Sequence, residues 1–189
     1  MISKIVVIGG TYGVGKTTLA HNLACKLGIH HKVELGTIAK TLKYIVPNDP
    51  VVRDWSNYEN YKTDDSLKEK LHKESKLVWE ILKIIIDKAL YAGESYVIDG
   101  VQLLPQYLPL ENITYVTLEL KNKKLHQQRF LSPHTTKNKH LNNANYDATV
   151  CYQDEIISAA IQLNLPVYST ELSENDLAEK VIKDLNFLL

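Results

Sequence analysis

Gly10-Thr11-Tyr12-Gly13-Val14-Gly15-Lys16-Thr17 satisfies the pattern G-x-x-x-x-G-K-[ST] at every defined position. An apolar run, residues 4–8, precedes it, and residues 15–27 follow with Leu19, Leu23 and Leu27 at helical spacing before Gly28. A buried strand that enters a glycine-rich turn and leaves as a helix is the setting in which this pattern cradles phosphate. Glycines let the backbone turn tightly and aim its N–H groups inward, and the helix start adds partial positive charge. In this reading Lys16 bridges the β and γ phosphates of ATP and the Thr17 hydroxyl holds Mg²⁺. Gly10, Thr11, Tyr12, Gly13, Val14, Gly15, Lys16, Thr17 and the adjoining Thr18 are the candidate nucleotide contacts, with the Tyr12 ring read as loop packing. The competing reading, a glycine turn with a chance lysine, does not account for an eight-residue match in this context.

Beyond this loop, apolar runs alternate with helical patterns and no solenoid repeat is present, which predicts βα units around a mainly parallel sheet. Strands are expected at 32–35, 96–98, 113–120 and 166–169, and helices at 37–46, 66–92, 121–130, 147–163 and 173–189. In the long 66–92 helix, Leu67, Leu71, Val78, Ile81, Ile85 and Ala89 form the expected apolar stripe. His30-His31 reads as a turn. Residues 48–65 and 131–146 are polar and turn-rich, and loops of that length usually carry function.

A phosphate cradle needs a carboxylate at the end of a neighbouring strand, to complete the Mg²⁺ shell or to take a proton. Tyr96-Val97-Ile98-Asp99 supplies one, and in a parallel sheet Asp99 shares the carboxyl edge with the loop. A strand cap would explain Asp99 alone; beside the loop the functional reading is preferred, with base and metal ligand both open. Residues 121–140 carry Lys121, Lys123, Lys124, Arg129, Lys137, Lys139 and three histidines but no acid. Following the fourth strand, this segment suits a lid, at about 129–147, that brings cations to a transferring phosphoryl group and excludes water. Arg129 is one of only two arginines and offers the bidentate fork that lysine lacks. A solvated basic face is the alternative. Phe130 is the segment's one aromatic residue, so base stacking on nucleic acid is poorly supported. His126, His134 and His140 lack zinc spacing and read as surface or lid residues.

Composition bounds the rest. The 189 residues suit a single domain of 1–189, and 22 basic against 22 acidic residues argue against a wholly electrostatic nucleic-acid binder. No apolar run reaches membrane-spanning length, no secretory pattern is seen, and Cys25 and Cys151 form neither metal site nor disulfide framework. A cytoplasmic protein of undefined oligomeric state is expected. A phosphoryl acceptor would sit opposite the loop, in an insert at about 36–65. There Arg53 reads as an anion contact or, preferably, a salt bridge with Asp54 or Glu59, while Trp55, Tyr58 and Tyr61 read as core or cover residues, with a stacking floor as the alternative.

These residues together resemble the archaeal 2-phosphoglycerate kinase family of P-loop kinases. The specific stretches are Val97-Ile98-Asp99-Gly100-Val101-Gln102-Leu103-Leu104-Pro105, His126 with Arg129-Phe130, Ser56-Asn57-Tyr58, and Gln153-Asp154 before Leu165-Pro166-Val167. The resemblance implies a three-layer α/β/α fold with a five-stranded parallel sheet in the order 2-3-1-4-5. It also implies ATP, Mg²⁺ and a small phosphorylatable acceptor, with Lys16, Asp99 and Arg129 as catalytic residues and Thr17 and Asp99 at the metal. The chain departs from the family in the acceptor region. Gly36-Thr37-Ile38-Ala39-Lys40 lacks the family's acid and arginine, Gln102 stands for its histidine, and Asp99 stands for its glutamate. The departures point to a related acceptor. Two other functions stay open: a regulatory nucleotide-binding protein, and a kinase of nucleotides or nucleic-acid ends.

Overall fold

The strand residues alternate between two hydrophobic layers, and this alternation organises the molecule. The computed structural model describes residues 3–55, 57–132 and 143–185. Five parallel strands, β1 (Ile5–Gly9), β2 (His31–Glu34), β3 (Tyr96–Gly100), β4 (Thr114–Glu119) and β5 (Val167–Ser169), form one sheet in the order β2-β3-β1-β4-β5. Val6 and Ile8 point into a layer formed with α1 (Lys16–Leu27) and α7 (Glu174–Asp184). Ile5 and Val7 point into the opposite layer, formed with α2 (Leu35–Ile45) and α4 (Asp64–Ala92). Helices therefore cover both faces, as a parallel sheet of near-continuous apolar strands requires. α3 (Pro50–Arg53), α5 (Lys123–Phe130) and α6 (Asn143–Gln162) complete the α-helices among the described residues.

A third cluster sits over the carboxyl edge of the sheet. It joins Tyr58, Leu67 and Leu71 to Val101, Leu104, Cys151, Tyr152 and Ile156, with Tyr12 packed against it. Residues more than a hundred positions apart are thus brought to the mouth of the glycine loop.

The expected strand order is found, and several boundaries move for local reasons. α4 starts at Asp64 because the Thr63 side chain accepts from the Ser66 N–H and the Ser66 side chain closes the reciprocal bond. Its buried stripe runs through Leu82 and Ile86; Ile81 and Ile85, the expected positions, are only partly buried. A helix advances about 100° per residue, so one position moves a side chain from the edge to the centre of the face. Leu35 begins α2 rather than ending β2, since its side chain tucks over Gly100. His31 belongs to β2 and stacks on Tyr96 at 4.6 Å, so the turn read at His30-His31 ends one residue sooner. α6 starts at Asn143, inside the segment expected to be loop. Residues 133–142, with His134, Lys137, Lys139 and His140 of the expected lid, lie outside the described residues, as does Ser56.

Candidate active site

β1 is fully buried and delivers the loop to the carboxyl edge of the sheet. Gly15 takes φ 88°, a left-handed conformation that glycine adopts without strain, and α1 begins at the next residue. No side chain caps this helix end and its first turn holds no acid, so its N–H groups are left for an anion. Gly13 takes φ 79° and lies where an added Cβ would come within 3.1 Å of the Phe130 nitrogen.

A cavity of about 490 Å³ opens on the loop, within the range of small-ligand sites. Tyr12, Gly13, Val14, Gly15, Lys16, Thr17 and Thr18 form one wall, and Arg129, Ser132, Thr170 and Leu172 lie on the other. Gly10 and Thr11 sit behind that wall. Thr11 is fully buried and its hydroxyl donates to the Thr149 carbonyl at 3.0 Å.

Lys16 lies half-buried, donating to the Thr11 carbonyl at 2.6 Å with the Tyr12 ring 5.9 Å from its ammonium. Burial pulls its pKa down to about 8, with Asp99 opposing the shift. The Thr17 hydroxyl donates to Asp99 Oδ2 at 2.9 Å. Register explains the meeting: Ile8 pairs with Asp99 and Gly9 with Gly100, so the acid stands beside the entrance to the loop. Burial raises the Asp99 pKa above the ordinary carboxylate value, while Lys16 and Thr17 pull it back. The hard oxygens of Thr17 and Asp99 suit Mg²⁺, which takes few protein ligands and keeps waters and phosphate oxygens. Among the described residues no group of three His, Cys, Asp or Glu could hold a metal by itself.

Arg129 faces the cavity and donates to the Thr170 carbonyl at 3.2 Å and its hydroxyl at 3.4 Å. Lys121, Lys123 and Lys124 are exposed, and Lys121 pairs with Glu119 at 3.5 Å. Among the described residues of the basic segment, Arg129 alone contributes a cation to the cavity wall. The surface reading of His126 is corrected. It is 1% exposed, and its Nε2 donates to the Tyr12 carbonyl at 2.8 Å, because Leu125-His126 turns inward under the loop. Arg53 makes the expected surface salt bridge, to Asp54 at 3.3 Å, and Trp55 and Tyr58 are core.

The reading of the acceptor insert missed a buried polar cluster on α4. Lys70 donates to Glu74, and its ammonium also bonds the Asp54 carbonyl at 2.8 Å. Gln102 Nε2 donates to the other Glu74 oxygen at 3.1 Å. Lys70 lies over the Tyr58 and Tyr61 rings, at 5.7 and 5.1 Å. All three polar residues are at most 3% exposed, and burial raises the Glu74 pKa against the pull of Lys70. The Tyr152 hydroxyl beside them is buried with no hydrogen-bond partner among the described residues. A signal was present in the sequence, since Lys70 and Glu74 interrupt the apolar stripe at stripe positions.

A family model described as an AAA domain matches residues 6–149. A 2-phosphoglycerate kinase of Methanocaldococcus jannaschii is 28% identical over 138 residues, covering 67% of this chain and 44% of its own length. A 2-phosphoglycerate kinase of Pyrococcus horikoshii is 24% identical over 196 residues, covering 97% of this chain and 64% of its own length. The chain spans about half the length of the curated relatives it matches, 44% and 64% in these two. An unliganded sugar kinase from Janibacter sp. HTCC2649 has a TM-score of 0.61 at 16% identity, covering 98% of this chain and 95% of that one. That likeness is one of fold.

Proposed function

The chain belongs to the AAA domain family, and on that footing we propose that it is a P-loop kinase moving the γ-phosphoryl group of ATP to a hydroxyl of a small acceptor. The observation that carries this reading is that Lys16, Thr17 and Arg129 line one cavity of ligand size, with Asp99 accepting a hydrogen bond from Thr17. The uncapped start of α1 receives the phosphate chain, and the Lys16 ammonium neutralises its β and γ oxygens. Arg129 approaches the same phosphates from the far wall, while the 169–172 loop receives the base. Thr17 and Asp99 would hold Mg²⁺, which supplies charge neutralisation for the transferring group.

The acceptor oxygen attacks the γ phosphorus, the bond to the bridging oxygen of ADP breaks, and the hydroxyl proton passes to Asp99. Burial raises the proton affinity of the metal-free Asp99 carboxyl and a bound cation would lower it, so base and Mg²⁺ ligand are alternative roles for this residue. The finer reading is an acceptor similar to the 2-phosphoglycerate of the named relatives. Its side of the site is assigned to Gln102, three residues past Asp99, and to the α4 face with Lys70 and Glu74. The Tyr152 hydroxyl, without a hydrogen-bond partner among the described residues, supports a hydroxyl-bearing ligand there.

The test is incubation with ATP and Mg²⁺ plus 2-phosphoglycerate, glycerate or a monosaccharide, read by phosphorus NMR. One phosphorylated acceptor per ADP is expected. ATP binding without transfer to any acceptor would favour the regulatory nucleotide-binding reading instead.

A pH dependence follows from Lys16. Only the ammonium form attracts a triphosphate, so bound ATP raises its pKa and binding near pH 8 takes up a proton. ATP affinity is expected to be flat below pH 7 and to fall by up to about tenfold per unit above pH 8. Calorimetry in two buffers of different ionisation heat measures the uptake. Equal heats at pH 8 would separate Lys16 from the nucleotide.

A further inference from the structure

We infer that His126 is a positioning residue of the nucleotide site, whose imidazole N–H holds the Tyr12 carbonyl and so sets the direction of the next amide in the loop. The inference rests on the reading of that loop as the ATP site.

The contact links residues 114 positions apart at 2.8 Å, with His126 1% exposed. A carbonyl only accepts, so Nε2 must carry the proton. The peptide between Tyr12 and Gly13 is planar and trans, so its C=O and N–H point in opposite directions. Holding the Tyr12 oxygen on His126 therefore fixes where the Gly13 N–H points, and Gly13 lies on the cavity wall. Preorganised donors stabilise phosphate charge without reorganising when it arrives, and an unanchored peptide would have to be ordered at that moment.

The surroundings match this role. The His126 ring meets the Tyr146 ring edge-on at 5.3 Å, and Tyr146 donates to the Lys123 carbonyl at 3.0 Å, which locks the imidazole between α5 and α6. A Cβ at Gly13 would crowd the Phe130 backbone, and Thr11 donates to the Thr149 carbonyl on α6. Burial, with smaller effects of Lys16 and Arg129, lowers the His126 pKa, while its bond to Tyr12 opposes this. The neutral ring with its proton on Nε2 is the form that satisfies the carbonyl while adding no charge beneath the loop.

Two variants, compared with wild type, separate positioning from packing. His126→Phe keeps a ring against Tyr146 and loses the donor; His126→Gln returns an N–H at comparable reach; wild type is the reference. ATP affinity is read by calorimetry, and kcat/KM with the acceptor that wild type uses. His126→Phe is expected to weaken ATP binding and lower kcat/KM by about tenfold, and His126→Gln to return both to within about twofold. Wild-type affinity in His126→Phe, or equal losses in both variants, would overturn the inference. Failure of wild type to bind ATP would instead defeat the ATP-site reading itself. A measurement on wild type covers the case in which the phenylalanine variant does not fold. In ¹⁵N-histidine-labelled protein the His126 Nε2–H signal should be protected and should shift on ATP addition. A proton found on Nδ1 with Nε2 bare would overturn the inference.

Discussion

Lys16→Ala should lower phosphoryl transfer by roughly 10³-fold or more, with a melting temperature close to that of wild type. Among the described residues Lys16 donates to the Thr11 carbonyl within its own loop, and it is half-buried rather than core. Its removal therefore opens no cavity among apolar side chains. The positive end of α1 remains, so some nucleotide binding should persist while the charge that develops on the β–γ bridge goes unneutralised. The expected pattern is a fall in kcat larger than the rise in the ATP KM. Transfer within tenfold of wild type would remove Lys16 from the reaction.

The second large effect is on stability, and it comes from the cluster on α4. Glu74→Leu leaves the Lys70 ammonium buried with one carbonyl partner, and breaking a buried pair on one side costs about 3–5 kcal/mol. For a chain of this length that corresponds to a melting temperature lower by about 10 °C. Lys70→Met behaves differently, because the carboxyl it strands can take a proton. Burial already raises the Glu74 pKa, and losing Lys70 removes the largest opposing effect. A raised folded-state pKa gives stability that is fully present below the unfolded carboxylate value of about 4.3 and is lost as pH rises. Lys70→Met should therefore melt closer to wild type in mild acid and fall away towards neutral pH. The double variant Lys70→Met/Glu74→Leu should recover most of the loss, since two apolar side chains replace two charges. Additive losses in the double variant would show that the two residues do not act as a pair. Melting curves across pH, with circular dichroism at a fixed wavelength, measure all three.

The glycine loop, the first strand and the acid at Asp99 were legible in the sequence because each is a local signal. A phosphate cradle needs its glycines, lysine and hydroxyl within one turn of chain, and a strand that ends in an acid shows itself within four residues. The alternation of runs and helices carried the strand order only with the family resemblance beside it. Local rules also located the salt bridge of Arg53, where the two partners are adjacent residues.

What the chain order hid is set by contacts across the fold. His126 reads as a surface or lid histidine in a basic, acid-free stretch, and the close approach of α5 to the glycine loop buries it under Tyr12. Lys70, Glu74 and Gln102 come from two separate elements, and their meeting depends on α4 crossing the carboxyl edge just where β3 ends. By itself the sequence determined which residues form the glycine loop proposed to hold a triphosphate, because that loop is built from consecutive residues. Tertiary structure alone decided that His126 meets the Tyr12 carbonyl and that Gln102 meets Glu74, because those partners are dozens of residues apart and meet only once the sheet is assembled.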